Sequence, residues 1–175
     1  FKSDIPNFAI YLLIGIVIFS FFNEAVSVSL LSIVVNASLI TKVYVPKCIY
    51  PISKVLSSGI NLIFSTILLF VVMAFTNTPF TPALLLLPFA LTCLLFLCIG
   101  LGLLLSTFMV FFRDTQFLWG VVCMLWMYAT PIFYPESIIP EKFNIILTCN
   151  PLYYIIKFIR IIMIDGVSPE PKMYL

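Results

Sequence analysis

The chain has 175 residues, of which 63% are hydrophobic and only 9% are charged, and its mean hydropathy is +1.21. Soluble domains carry about a quarter charged residues, so this chain cannot cover its apolar surface in water, and the composition predicts an integral membrane protein. The net charge of +2 is too small to indicate nucleic-acid binding. Histidine is absent and the five cysteines form no closely spaced pair, so neither a zinc site nor a disulfide framework is predicted.

The first apolar run predicts one membrane-spanning helix over residues 5–23, because a crossing needs about 20 apolar residues. After Glu24 the chain becomes more polar, and this stretch either extends the helix or ends it before Asn36. Glu24 is therefore expected at a helix end, in the interfacial region. A buried proton-relay carboxylate is the alternative, although no second acid lies within helical reach.

Three further spans are expected between residues 55 and 133. The uncharged run 55–112 is too long for one crossing, and the proline-containing turn at 76–82 divides it into helices over 55–75 and 83–111. A fourth span is expected over 117–133. Within the second of these runs, Gly100, Gly102 and Ser106 predict a close helix–helix contact, inside the chain rather than between two copies.

Two polar connections are expected at the same end of these helices. Residues 36–53 contain lysines, prolines and no acid, which predicts a short interfacial helix and a turn. The motif FFRDTQ (111–116) brings Arg113 and Asp114 to a bend between two spans. Lysine and arginine accumulate in cytoplasmic loops, so both connections are predicted to be cytoplasmic.

The region 134–164 differs from the rest because its apolar pieces are short and interrupted by prolines. It predicts re-entrant or interfacial half-helices rather than a fifth crossing. Lys157 and Arg160 stand at helical spacing, which is typical of a helix lying at the level of the lipid headgroups.

Few residues in this chain have side chains that are suited to catalysis. Histidine is absent, acids are few, and no phosphate-binding loop of the GxxxxGK[ST] type occurs, so the chain is not expected to be an enzyme and any use of ATP belongs to another chain. The aromatic residues Trp119, Trp126 and Tyr128 are candidates for lining the path of a sugar-bearing substrate, since aromatic rings stack on sugar rings.

Four stretches, taken in order, resemble the permease subunits of ABC-2-type transporters. They are NASLITKVYVPK (36–47), LLSTFMVFFRDTQ (104–116), TPIFYPESIIPEKF (130–143) and NPLYYIIKFIR (150–160). More narrowly, they resemble the subunits that export lipid-linked polysaccharides of the O-antigen, teichoic acid or capsule type.

The resemblance implies an all-α membrane protein with the type V exporter-like fold. The permeases of this family have six transmembrane helices and work as homodimers in the bacterial cytoplasmic (inner) membrane, with separate ATPase subunits that bind ATP and Mg²⁺. Residues 1–175 would then form one permease domain, incomplete at both ends, with about four transmembrane helices and the outer half-helices. The family's first and last helices would be absent.

The resemblance also assigns roles to two groups of residues. The segment that docks on the ATPase, called the coupling helix, corresponds to Asn36, Ser38, Leu39, Lys42, Val43, Tyr44 and Pro46. The outer re-entrant region corresponds to Pro131, Tyr134, Pro135, Pro140, Asn150 and Pro151. Arg113 and Asp114 fall in the cytoplasmic loop between the family's fourth and fifth helices.

The function expected from the sequence is export of a lipid-linked polysaccharide, driven by a separate ATPase. An ABC-2 permease for drugs or small molecules is the alternative within the same superfamily. A channel or secondary transporter not coupled to ATP would be expected to show intramembrane charge pairs or repeated halves. A membrane-embedded enzyme is disfavoured by the absence of histidine and of clustered acids.

Overall fold

A computed structural model describes residues 8–76, 81–132, 147 and 150–166. Within this described part of the chain the secondary structure is helical, without strands. The helices are α1 (Phe8–Val35), α2 (Ala37–Ile40), α3 (Ile49–Phe75), α4 (Leu87–Phe111), α5 (Thr115–Ala129) and α6 (Pro151–Arg160). A 3₁₀ turn, Pro82–Leu86, precedes α4, and a π turn, Ile161–Asp165, follows α6.

Three helices in the described part are long and apolar enough to cross a membrane: α1, α3, and α4 together with its 3₁₀ turn. They contain 28, 27 and 30 residues, so each is at least roughly 40 Å long, which exceeds the bilayer hydrocarbon thickness of about 30 Å. The chain is therefore a multi-pass membrane protein.

The predicted fourth span is shorter than expected. Helix α5 has 15 residues, or roughly 22 Å, which is less than the thickness of the hydrocarbon core. It ends at Ala129 because Thr130 is extended (φ −93°, ψ 128°). Thr130 precedes Pro131, whose ring disfavours the helical conformation of the residue before it.

Helix α1 is the central helix of the bundle and contacts α3, α4, α5 and α6. It runs without a break from Phe8 to Val35, so the polar stretch after Glu24 extends the helix. Glu24 lies about three turns before the end of α1, and its placement at a helix end is wrong. The buried face of α1 consists mainly of large apolar side chains, among them Ile14, Ile18 and Phe22.

The predicted small-residue contact exists between α4 and α1. A Cβ atom added at Gly102 would lie 2.9 Å from Cβ of Ser29, so the glycine permits a close approach of the two backbones. Ser106 is also buried. Gly100 is exposed and a Cβ there would meet nothing within 4 Å. The contact is therefore confirmed for Gly102 and wrong for Gly100, and for Ser106 it stays a prediction that agrees with its burial.

Candidate functional site

The two polar connections meet at one end of the bundle, which we call the basic end because it carries Lys42, Lys47, Lys54 and Arg113. A cavity of about 550 Å³ opens here, and both Lys47 and Arg113 line it. Its remaining lining is mostly apolar and comes from the ends of α1 and α4, as with Ile33 and Val110. The prediction that 36–53 and 111–116 share one end of the bundle is therefore confirmed. That this end faces the cytoplasm stays a prediction.

The loop between α1 and α3 is built around one helical turn. The backbone carbonyl of Asn36 accepts hydrogen bonds from the amides of Leu39 (3.0 Å) and Ile40 (3.1 Å). The side-chain amide of Asn36 donates to the carbonyl of Ser32 at 2.7 Å, so the turn is anchored to the last turn of α1. The loop therefore begins at a defined place relative to the bundle.

The candidate coupling residues form an outward-facing surface on this loop. All of them except Asn36, which is half-buried, are exposed: Ser38, Leu39, Lys42, Val43, Tyr44 and Pro46. Leu39 and Val43 are about half exposed, at 51% and 50%, and Tyr44 is fully exposed. Apolar side chains grouped on an exposed loop are typical of a surface that another protein covers.

Arg113 and Asp114 lie at the bend between α4 and α5, and both are exposed. The bend forms because Phe112 leaves the helical conformation (φ −127°, ψ 100°). The backbone carbonyl of Asp114 then accepts hydrogen bonds from the amides of Phe117 and Leu118, at 3.0 and 3.2 Å, which starts α5. The two charges therefore mark a helix junction.

At the opposite end, Asn150 joins α5 to α6 through four hydrogen bonds. Its Oδ1 accepts from the backbone amides of Leu152 (3.1 Å) and Tyr153 (3.4 Å), and so caps α6, which has Pro151 at its start. The same oxygen accepts from the Trp126 indole at 3.0 Å, and Nδ2 donates to the Thr130 hydroxyl at 2.9 Å. Asn150 is buried, so this network fixes where α6 begins.

Helix α6 is a half-helix, as expected: it has 10 residues and packs against α1 and α4. That this helix lies at the headgroup level stays a prediction, but the side chain of Arg160 is buried within the protein. The guanidinium donates to the carbonyls of Pro131 (2.9 Å), Ile132 (3.2 Å) and Tyr11 (3.3 Å). It also lies 3.5 Å from the centre of the Tyr11 ring, a cation–π arrangement.

Gly15 makes room for this arginine. A Cβ atom at Gly15 would lie 2.8 Å from Nη2 of Arg160 and 2.9 Å from Cγ2 of Ile132. Arg160 therefore joins α6 to α1 and to the chain after α5. Pro131, predicted for the outer region, supplies one of its carbonyl partners. Three more predicted residues of that region, Tyr134, Pro135 and Pro140, lie outside the described residues.

The three aromatic residues predicted to line a glycan path fall into two groups by their exposure. Trp119 is buried and Trp126 half-buried in the contact between α5 and α1. Both rings pack on Phe22, with centroids 6.2 and 5.3 Å from its own. The Trp119 indole N–H has no hydrogen-bond partner among the described residues, so ring packing stabilises this contact. Tyr128 is exposed and does not join the cluster. Their role in a glycan path stays a prediction.

A further group of polar residues lies on the exposed side of α1 and α3, at mid-helix. We call it the polar face: Ser20, Asn23, Glu24 and Ser27 of α1, with Ser57 and Asn61 of α3. The side-chain amide of Asn61 donates to Oε1 of Glu24 at 3.0 Å, across the two helices. Sequence reasoning missed this group, although the i, i+3, i+4, i+7 spacing in α1 places its residues on one helix face.

No group of metal-ligating side chains occurs in the part of the chain that the structure describes. The features of the described residues are those of a membrane-embedded protein: apolar helices, an exposed loop suited to a partner protein, and a half-helix at the other end. They are typical of a transport protein.

The chain belongs to the ABC-2 type transporter family, whose model matches residues 2–164. It is similar to two O-antigen export system permease proteins RfbA from Klebsiella pneumoniae. One is 32% identical over 167 residues, which cover 94% of this chain; the other is 30% identical over 95% of this chain. A protein of the same name from Myxococcus xanthus is 29% identical over 99% of this chain and 68% of its own length. The chain spans 64% of the length of each Klebsiella relative.

Proposed function

We propose that this chain is the permease subunit of an ABC transporter that exports a lipid-linked polysaccharide across the bacterial cytoplasmic membrane. A separate ATPase subunit binds ATP and Mg²⁺ and docks on the basic end, which faces the cytoplasm. The permease works as a homodimer. Membership of the ABC-2 family and the similarity to O-antigen export permeases support this proposal.

One observation carries the coupling part of the proposal: the exposed surface of Leu39, Val43 and Tyr44. The loop is anchored to α1 through Asn36, so a partner that moves this surface also pulls on the central helix. Because α1 contacts every other long helix of the bundle, such a movement would reach all the spans.

Cross-linking tests the docking surface. In the full-length permease co-expressed with its ATPase, Ser38→Cys is expected to form a disulfide or bismaleimide link to a cysteine in the ATPase. Ser38 is exposed on the coupling loop. A matched control is Ser53→Cys, which is exposed near the same end of the bundle but lies in α3. Absence of any link from cysteines throughout 36–46 would contradict the coupling role.

A measurement of surface polysaccharide tests which cargo the permease exports. Deletion of the gene is expected to leave lipid-linked glycan on the cytoplasmic side of the membrane, where a membrane-impermeant lectin cannot reach it in intact cells. Complementation with the wild-type gene should restore surface glycan, and the Leu39→Asp/Tyr44→Asp variant should not. Unchanged surface polysaccharide in the deletion strain would contradict the proposed function.

A further inference from the structure

At the centre of α1 the exposed side chains are polar and the buried ones are apolar, the reverse of what a lipid-facing helix requires. Between Ile16 and Val28, the exposed residues of α1 are Ser20, Asn23 and Glu24, and the half-exposed residues include Ser27. The buried residues of the same segment are apolar, among them Phe19, Phe22 and Val26. A helix surrounded by lipid needs apolar side chains on its outer face. This segment instead has the pattern of a helix that packs on a core and faces water.

The polar face lies near the middle of the helices along their length. Glu24 is about 16 Å from the end of α1, and Asn61 is about 18 Å from the start of α3. Both helices are roughly 40 Å long, so the hydrogen bond between Glu24 and Asn61 (3.0 Å) lies near their centres. Ionisable side chains at this depth are costly in lipid and normally face a bundle interior or a water-filled cavity.

Other exposed faces of the described helices have the opposite character. On α5, the most exposed residues include Phe117, Leu118 and Leu125. On α4, exposed Thr92 and Thr107 donate their hydroxyl protons to carbonyls of their own helix, at 2.7 and 2.9 Å, which makes them compatible with lipid. On α3, Ile63 is exposed close to Asn61 in sequence. Lipid contact therefore accounts for these surfaces and leaves the polar face unexplained.

We propose that the polar face lines a water-filled path through the membrane and that its side chains form hydrogen bonds with the hydroxyl groups of the passing glycan. Serine and asparagine side chains both donate and accept hydrogen bonds, and a carboxylate accepts them, so together they match the donors and acceptors of sugar hydroxyls. Glu24 and Asn61 hold each other in place across the helices. The glycan contact rests on the proposed function, whereas the water-filled path does not.

Thiol accessibility tests the path. The experiment uses the full-length permease with its ATPase in membrane vesicles of both orientations, with the native cysteines replaced by serine or alanine. Ser20→Cys and Ser57→Cys are nearly isosteric changes on the polar face. Ile63→Cys is the matched control on the other side of α3. A charged, membrane-impermeant methanethiosulfonate reacts with thiolates, which form in water and not in lipid.

The two polar-face cysteines are expected to react at least about 10-fold faster than the cysteine at position 63, in at least one vesicle orientation. Rates equal to the control in both orientations would overturn the proposal, because the face would then lie against lipid or against another helix. This readout needs no cargo. An unchanged surface glycan in the deletion strain would therefore contradict the proposed function without affecting the path.

The glycan contact is tested by export through variants of Glu24. Glu24→Gln keeps an oxygen that accepts from Asn61 and is expected to retain export. Glu24→Leu, compared at equal membrane abundance, is expected to lower the export rate at least about 10-fold. Wild-type export by Glu24→Leu would overturn the glycan contact.

Discussion

Replacing Asn150 by alanine should destabilise the half-helix α6 by about 2 kcal/mol. Loss of an asparagine cap costs about 1 kcal/mol, because the amides of Leu152 and Tyr153 lose their acceptor. The Trp126 indole loses its partner as well, and hydrogen bonds between helices in membranes average about 0.6 kcal/mol. The Thr130 hydroxyl keeps its bond to the carbonyl of Trp126 at 2.9 Å, so its loss of the Asn150 contact adds only a few tenths.

The measurement is unfolding of the full-length permease in lipid nanodiscs, followed by far-ultraviolet circular dichroism, which reports helix content and can be read in variants that lack Trp126. A control at the exposed Gln116, Gln116→Ala, should leave the free energy of unfolding unchanged. Trp126→Phe removes the indole donor but keeps an aromatic ring, and should cost about 0.6 kcal/mol.

The double variant Asn150→Ala/Trp126→Phe gives the sharpest check. Both changes remove the same hydrogen bond, so their effects should sum to about 0.6 kcal/mol more than the double variant loses. Strictly additive effects, or a loss below about 0.5 kcal/mol for Asn150→Ala, would refute the view that this network fixes the start of α6.

Three further outcomes follow from the packing. Gly15→Ala should lower the free energy of unfolding by about 1–3 kcal/mol, because the new methyl group meets Arg160 and Ile132. In the matched control Gly100→Ala, the new methyl group meets nothing within 4 Å. This control should be neutral or stabilising by up to about 1 kcal/mol. Arg160→Lys should lose about 2 kcal/mol in the same assay, since an ammonium group cannot form the fork to two carbonyls while stacking on Tyr11; wild-type stability would contradict the role of the guanidinium. In a Cys149→Ser background, maleimide should modify the exposed Cys48 well before the buried Cys98 and Cys123. The order is measured by peptide mass spectrometry. Faster modification of Cys98 would mean that the contact between α1 and α4 opens readily.

The end of the predicted fourth span shows that a local sequence signal can determine where a helix stops. Pro131 is visible in the sequence, and it makes Thr130 extended and ends α5 at Ala129. The prediction of 117–133 followed the apolar run and gave this signal too little weight. The cap at Asn150 and Pro151 is likewise a local pattern, but the family resemblance assigns both residues only to the outer re-entrant region, and the structure places them at the start of a half-helix.

Composition and hydrophobic length by themselves determined the membrane class, the long helices α1, α3 and α4, and the common end of the two polar connections. These properties depend on averages over about 20 residues, so no neighbouring element needs to be known. Gly102 also predicted a real contact, because a small residue in an apolar helix lets a second backbone approach closely.

Only the tertiary structure decided which polar side chains face inward and which face outward. Arg160 has the spacing of an interfacial residue, yet it is buried because Tyr11, near the other end of the chain, and the extended residues after α5 supply its partners. Glu24 has the position of a helix end, yet it lies at mid-helix because α1 continues to Val35 and Asn61 of another helix meets it. Burial and depth are set by contacts between residues that are distant along the chain, and no local pattern contains them.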